Sequence, residues 1–197
     1  MSLDRILEIK NMIEVEIKLP IDNKETVEAD LKRLGFIKSS LVCEEDIYFD
    51  NDAGQIRKNG EALRVRKVTD LLANQTDVVI TYKGKKMDQI SMSRKELETG
   101  VADAEICTQI FESLGFRVIL PKVKKTRQEY TFNQMTACID QVQDLGDFLE
   151  LEMVITEDKN KDDALGQIEK MLQRLGYSLK DTTRNSYLSM LQHVEDE

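Results

Sequence analysis

The stretch Ile13-Glu14-Val15-Glu16-Ile17-Lys18-Leu19 alternates apolar and charged side chains without a break. A β-strand sends successive side chains to opposite faces. Ile13, Val15, Ile17 and Leu19 therefore share one face, and Glu14, Glu16 and Lys18 share the other. Taken alone, this is a surface strand with a solvated outer side. The same pattern returns in almost every later strand candidate, with charges of both signs, and a solvated face does not explain that recurrence.

The first strand covers Met12–Pro20, after a short lead-in over residues 1–11. Asp22-Asn23 caps a helix over Glu25–Leu34 that ends at Gly35. Phe36 to Val42 leads into a second strand, Glu44–Asp50. Ala62–Val68, Asp77–Lys83 and Ile90–Glu98 are further strands, set off by turn clusters at Asn51–Gly54, Lys58–Gly60 and Gly84–Lys86. Leu71–Thr76 reads as a loose connection. Asp103 caps a second helix, Ala104–Leu114, with Ile106, Ile110, Phe111 and Leu114 on its apolar side. Phe116–Leu120, Val123–Phe132, Thr136–Gln143 and Phe148–Thr156 are strand material. Helices over Lys161–Leu175 and Thr183–His193 finish the chain. Roughly eight strands joined by hairpins argue for an antiparallel sheet, and the lack of βαβ alternation argues against a parallel one.

The bulk numbers narrow the function classes. The chain has 197 residues, 41% hydrophobic and 33% charged, enough apolar material for one core. Its formal net charge of -9 makes non-specific nucleic-acid or membrane binding a poor expectation. Cys43, Cys107 and Cys138 are widely spaced and odd in number, which predicts reduced thiols in apolar positions rather than a disulfide framework or zinc site. With no signal peptide and no apolar run long enough for a bilayer, the expectation is a cytoplasmic protein. His193 is the only histidine, so a Ser-His-Asp triad or His-ligated zinc is a poor expectation.

The helices carry one apolar face each and need apolar strand faces to cover. That turns the charged strand faces to the other side. If the sheet closes on itself, those charges line a tunnel, and closure removes exposed edges. The acids are Glu14, Glu16, Glu96, Glu98, Asp140, Glu150 and Glu152; the bases are Lys18, Arg64, Arg66, Lys83, Arg94, Lys125 and Arg127. A tunnel of both signs does not stay dry and empty. Its bases suit a polyanion, and its carboxylates suit divalent cations that prefer oxygen.

These residues carry a resemblance. Glu14-x-Glu16-x-Lys18 resembles the signature of the CYTH superfamily, the triphosphate tunnel metalloenzymes, which include class IV adenylate cyclases, thiamine triphosphatases and inorganic triphosphatases. Asp46-Ile47-Tyr48-Phe49-Asp50, Leu63-Arg64-Val65-Arg66, Thr81-Tyr82-Lys83-Gly84, Arg94-x-Glu96-x-Glu98, Lys125-x-Arg127, Asp140 and Glu150-x-Glu152 follow in the family's order, covering about Met12 to Leu191. Arg184-Asn185-Ser186-Tyr187-Leu188 resembles the cyclase-like (CyaB) branch. Relatives often carry proline after the lysine-strand glycine; Lys85 stands there and adds a charge near the expected mouth.

The resemblance implies an α+β fold, a closed antiparallel eight-stranded β-barrel with surface helices, as a single domain over residues 12–193. It implies that Glu14, Glu16, Asp140, Glu150 and Glu152 serve Mg²⁺ or Mn²⁺, with Asp140 alternatively orienting an arginine. It implies that Lys18, Arg64, Arg66, Lys83, Arg94, Lys125 and Arg127 grip a triphosphate. Lys18, Tyr48, Arg64 and Arg66 are the catalytic candidates, Tyr48 as a partner that tunes Lys18. Glu96 and Glu98 either bind metal or pair with Arg94. The activity implied first is conversion of ATP to cyclic AMP and pyrophosphate. The alternatives are hydrolysis of thiamine triphosphate, tripolyphosphate or a nucleoside triphosphate, and a binding module without turnover. Dimers are common among cyclase-like relatives, so a homodimer is open to the chain.

Overall fold

The alternation that opens the chain closes a barrel. The computed structural model describes residues 13–156 and 160–193; the lead-in and Met12 lie outside them. Strand β1 (Ile13–Pro20) is followed by α1 (Lys24–Arg33), β2 (Ile37–Asn51), a single helical turn α2 (Gln55–Lys58), β3 (Ala62–Asp70), β4 (Gln75–Lys83) and β5 (Arg94–Val101). Helix α3 (Ala104–Ser113), β6 (Phe116–Phe132), β7 (Met135–Val142), β8 (Gly146–Ile155), α4 (Lys161–Arg174) and α5 (Tyr187–Leu191) complete it. The strands run β1-β5-β4-β3-β2-β6-β7-β8 around the ring, and every neighbouring pair is antiparallel.

β1 pairs with β8 along its whole length, from Ile13 opposite Ile155 to Pro20 opposite Phe148. Its other edge meets β5 only at Ile13–Lys95 and Glu14–Arg94, and the Met92 amide then donates to the Glu16 carbonyl at 2.9 Å. This seam is the narrowest in the barrel.

The apolar faces point outward and are covered as the periodicity requires. Val15, Ile17 and Leu19 of β1, with Ile139, Leu149 and Leu151 from β7 and β8, pack under Val27 and Leu31 of α1 and Ile168, Met171 and Leu172 of α4. The Asn23 side chain caps α1 by accepting from the Thr26 amide at 2.7 Å. A second cluster puts Ala104, Cys107 and Phe111 of α3 on Ile47, Phe49 and Val65. No helix among the described residues is long and apolar enough to cross a membrane.

Several sequence expectations are corrected. Only Phe111 of the expected apolar side of α3 packs inward; Ile106, Ile110 and Leu114 are exposed. The helix turns its narrow Ala104–Cys107 edge to the strands, because two small side chains permit the closer approach. Residues 90–93 are not strand. The Asp88 carboxylate accepts from the Ile90 and Ser91 amides at 2.8 and 2.6 Å, and this local turn outcompetes the ladder. The two expected strands around Pro121 are one, β6. A register shift between Asp46 and Tyr48 accommodates the proline, which lacks an amide for the ladder. Cys43 is exposed, whereas Cys107 and Cys138 are buried; all three are free thiols.

Ile168 is fully buried under the barrel wall. Ile168→Ala should cost about 2–5 kcal/mol, the usual range for truncating a core aliphatic. Leu114→Ala, at 70% exposure, should stay within about 0.5 kcal/mol. Denaturant titration of the two variants checks the packing assignment.

Candidate functional site

Closure brings the charged faces together around a cavity of about 710 Å³. Glu14, Glu16, Lys18, Tyr48, Arg64, Arg66, Lys83, Arg94, Lys125, Arg127, Glu150 and Glu152 all line it, as do Glu96 and Glu98. Asp140 lies beneath the lining, fully buried. The register explains the convergence: Lys18 stands opposite Glu150, Glu16 opposite Glu152, Asp46 opposite Arg66, and Arg127 opposite Asp140.

The bases divide by how firmly the protein holds them. Arg66 donates to both oxygens of Asp46, at 2.6 and 2.8 Å, and meets Glu44 at 2.7 Å. Arg127 makes the same two-pronged contact with Asp140, at 2.7 and 2.6 Å, and also donates to Glu150. Lys125 bridges Asp140 at 2.7 Å and Glu44 at 3.2 Å. Such forked pairs fix a guanidinium in one orientation. Burial pushes the Glu44 carboxyl up, but Lys125 and Arg66 overcome it and hold Glu44 at about 2. Asp46 is likewise carried well below its usual range, burial being outweighed by Arg66 and Arg64.

Arg64, Lys18 and Arg94 are held loosely. Arg64 reaches Asp46 only at 3.5 Å and the Thr81 hydroxyl at 3.3 Å, and its buried Nε has no hydrogen-bond partner. Lys18 lies 3.9 Å from Glu150. Arg94 donates only a 3.4 Å bond to the Met92 carbonyl. These cations keep donor capacity for a ligand in the cavity.

The carboxylates divide the same way. Asp140 is saturated by Lys125, Arg127 and the Tyr187 hydroxyl at 2.9 Å, which fits the orienting role and leaves no oxygen facing the cavity. Glu150 is engaged by Arg127 and Lys18. Glu14 meets a base only at 3.7 Å, in Lys83, which also pairs with Glu96, and two other acids, Glu96 and Glu152, crowd it. Burial raises the Glu14 carboxyl despite the attraction of Lys83, and Glu96 adds to the rise. Burial also raises Glu16, reinforced by Glu150 and Glu14, and carries Glu152 well up, reinforced by Glu14.

Carboxyl groups in mutual contact need a proton or a cation between them. An all-oxygen set of this kind suits Mg²⁺ or Mn²⁺, and Glu14, Glu16 and Glu152 would hold it. As they stand, no three such side chains among the described residues are gathered into a finished metal site. The donor chemistry fits a divalent cation; its arrangement around one is not preformed.

The aromatic partner of Lys18 differs from the expected one. Tyr48 lines the cavity opposite Arg64. The ring beside Lys18 belongs to Tyr187, whose centroid lies 4.3 Å from Lys18 Nζ and 5.2 Å from Lys125 Nζ. Cation–π attraction of this kind is worth on the order of 1 kcal/mol. The Thr183 amide donates to the Lys18 carbonyl at 2.8 Å and brings the C-terminal segment across this end of the barrel. There Tyr187, Leu188 and Leu191 pack on Phe148, Val142 and Val123. Thr81, quoted above only as part of a motif, is fully buried and ties Arg64 to Glu98, donating to the latter at 2.8 Å. A threonine in a β-rich run gives no sequence signal for that role.

With this geometry in view, the comparisons with known proteins are specific. The CYTH domain profile matches residues 12–187, and the chain belongs to that family. It is 40% identical over 179 residues to a Methanocaldococcus jannaschii protein provisionally named an adenylate cyclase, covering 91% of this chain and 98% of that one. Adenylate cyclase CyaB of Aeromonas hydrophila is 24% identical over 147 residues, 75% of this chain and 71% of that one. Among solved structures, the PH1819 protein of Pyrococcus horikoshii superposes with a TM-score of 0.82 at 32% identity, over 91% of this chain and 98% of that one. A Hippeastrum protein, HpAC1, described as having a dominant triphosphatase activity, shares the fold at a TM-score of 0.63 and 17% identity, over 92% of this chain and 95% of that one.

Removing the Asp140 charge leaves Lys125 and Arg127 buried without their common partner. Asp140→Asn should therefore cost about 3–5 kcal/mol, read as a fall in the denaturant midpoint. Glu16 should behave oppositely. Its folded carboxyl holds a proton more tightly than the unfolded chain does, so its penalty is absent below the ordinary value of 4.5 and grows as pH rises through it. Glu16→Gln should raise the melting temperature of chelator-treated protein, by more at about pH 8 than at about pH 5.

Proposed function

We propose that the protein is a divalent-cation-dependent enzyme acting on a triphosphate, and first a class IV adenylate cyclase that converts ATP to cyclic AMP and pyrophosphate. One observation carries this reading: a barrel cavity in which oriented guanidinium and ammonium groups line the same space as the carboxyls of Glu14, Glu16 and Glu152. The adenylate cyclase names of the two curated relatives support the choice of reaction.

In that reaction the ribose 3′-oxygen attacks the α-phosphorus, the bond to the bridging oxygen breaks, pyrophosphate departs and the 3′-hydroxyl proton passes to solvent water. Arg64, Lys18 and Arg94 supply donors to the phosphate oxygens, since the protein leaves these three under-used. Arg66, Arg127 and Lys125 supply a fixed positive field, since their acids hold them in place before substrate arrives. Donors that need no reorganisation during the reaction are the efficient kind. Glu14, Glu16 and Glu152 would hold Mg²⁺ or Mn²⁺, whose chemistry when bound is to lower the pKa of the attacking hydroxyl and neutralise the leaving phosphates. The barrel wall excludes bulk water from the charged groups and so strengthens each interaction.

A triphosphatase reading is favoured by the state of Lys18. Burial lowers its ammonium pKa, against the opposing pull of Glu150 and Glu16. A lysine whose proton is held less tightly than usual leans toward the base that a water attacking a terminal phosphorus needs. A pure binding module fits poorly, because buried acids in mutual contact weaken anion binding and cost stability.

Purified protein with Mg²⁺ or Mn²⁺ should be offered ATP, thiamine triphosphate and tripolyphosphate separately, with products resolved by chromatography. The expected result is cyclic AMP and pyrophosphate from ATP. Phosphate without cyclic nucleotide moves the protein to the triphosphatases. Tight triphosphate binding without any product establishes the binding module. Glu14→Gln should abolish turnover; near-normal rates in that variant would sink the metal assignment.

A further inference from the structure

The connection from β4 to β5 and the segment before α5 build a second concave feature beside the tunnel mouth. It is a cavity of about 230 Å³ lined by Lys58, Lys85, Lys86, Asp88 and Arg184 among others. Lys58, Gly60 and Lys86 line both this cavity and the tunnel, so the two lie side by side and share a wall.

The single carboxylate in this lining is already engaged. Asp88 accepts from the Ile90 and Ser91 amides and from the Ser91 hydroxyl at 2.7 Å, and faces Lys161 at 3.1 Å. Arg184 and Lys58 meet neutral oxygens. Arg184 donates to the Asp88 carbonyl at 2.9 Å, the Gln89 side-chain oxygen at 3.2 Å and the Ser91 carbonyl at 3.4 Å. Lys58 donates to the Ala53 carbonyl at 2.7 Å, and Lys85 is exposed. Neutral acceptors position a cation without cancelling its charge. On a chain of net charge -9, a cavity with this lining is a local reversal of sign.

We propose that this cavity is a second phosphoryl subsite, which takes a phosphate group beyond the three that the tunnel seats. The proposal rests on the triphosphate reading of the tunnel. Its ligand chemistry is inorganic phosphoryl oxygen, supplied either by the far end of a longer linear phosphate chain or by a free phosphate or pyrophosphate at the mouth. The shared lining favours the first source, since a chain emerging from the tunnel passes Lys58 and Lys86 to reach Lys85 and Arg184.

Calorimetric titration of the full chain at constant salt, with a chelator present, tests this. Wild type should bind linear hexaphosphate roughly tenfold more tightly than tripolyphosphate, as expected for one or two added charge-assisted bonds. The doubly substituted Lys58→Ala, Lys85→Ala protein should lose that advantage. Lys38→Ala, which removes an exposed lysine at the opposite end of the barrel, should keep it. If the source is a free anion, pyrophosphate added to tripolyphosphate-saturated wild type should fill one further site, absent from the double variant. Equal affinity for the two chains together with no second pyrophosphate site overturns the proposal. So does an advantage or second site that survives in the double variant. Failure of tripolyphosphate itself to bind wild type would instead remove the tunnel reading on which the subsite depends.

Discussion

The structure depends on neutralising charge that has been taken out of water. The inner wall of the barrel carries lysine and arginine side chains whose desolvation costs several kcal/mol each unless they are paired. Asp140 and Asp46 do that work: one holds Lys125 and Arg127, the other Arg66, and Glu44 links the two groups through Lys125 and Arg66. The rest of the architecture follows. Because the charged faces point in, the apolar faces point out, and α1, α4 and α3 exist to cover them.

The pairing is unequal, and the inequality is where chemistry becomes possible. A fully saturated interior would be an inert core. Here Arg64 keeps an unpartnered Nε, and Glu14, although it meets Lys83 at 3.7 Å, is crowded by the neighbouring acids Glu96 and Glu152. The cost of burying Glu14, Glu16 and Glu152 is offset by the firm ion pairs elsewhere on the wall. Natural proteins break local rules of stability at functional sites and compensate nearby.

The C-terminal segment borders the mouth of the barrel, where Tyr187 and Leu188 line the cavity. Tyr187 joins two roles, packing its ring edge-on against Phe148 at 5.0 Å and donating its hydroxyl to Asp140. Arg57 of α2 reaches Gln192 at 2.7 Å, so the β2–β3 connection and α5 frame the same mouth. The basic cavity around Lys85 and Arg184 lies against that frame.

The sequence by itself determined the antiparallel pairing, the helix positions to within a residue or two for α1, α3 and α4, and most of the charged wall, though not Glu44 and Asp46. All of these are periodic or local signals, carried by alternation, caps and glycine stops. Tertiary structure decided what periodicity cannot encode. Tyr187 rather than Tyr48 sits beside Lys18, because barrel closure brings together residues such as Tyr187 and Asp140 that are 47 positions apart. The face that α3 buries was set by the close approach that Ala104 and Cys107 permit, not by where its largest apolar side chains fall. Which acids pair with bases and which pair with one another was set by register across the ring. That register is a long-range property, because a charge in a strand specifies a face and only the neighbouring strand specifies a partner.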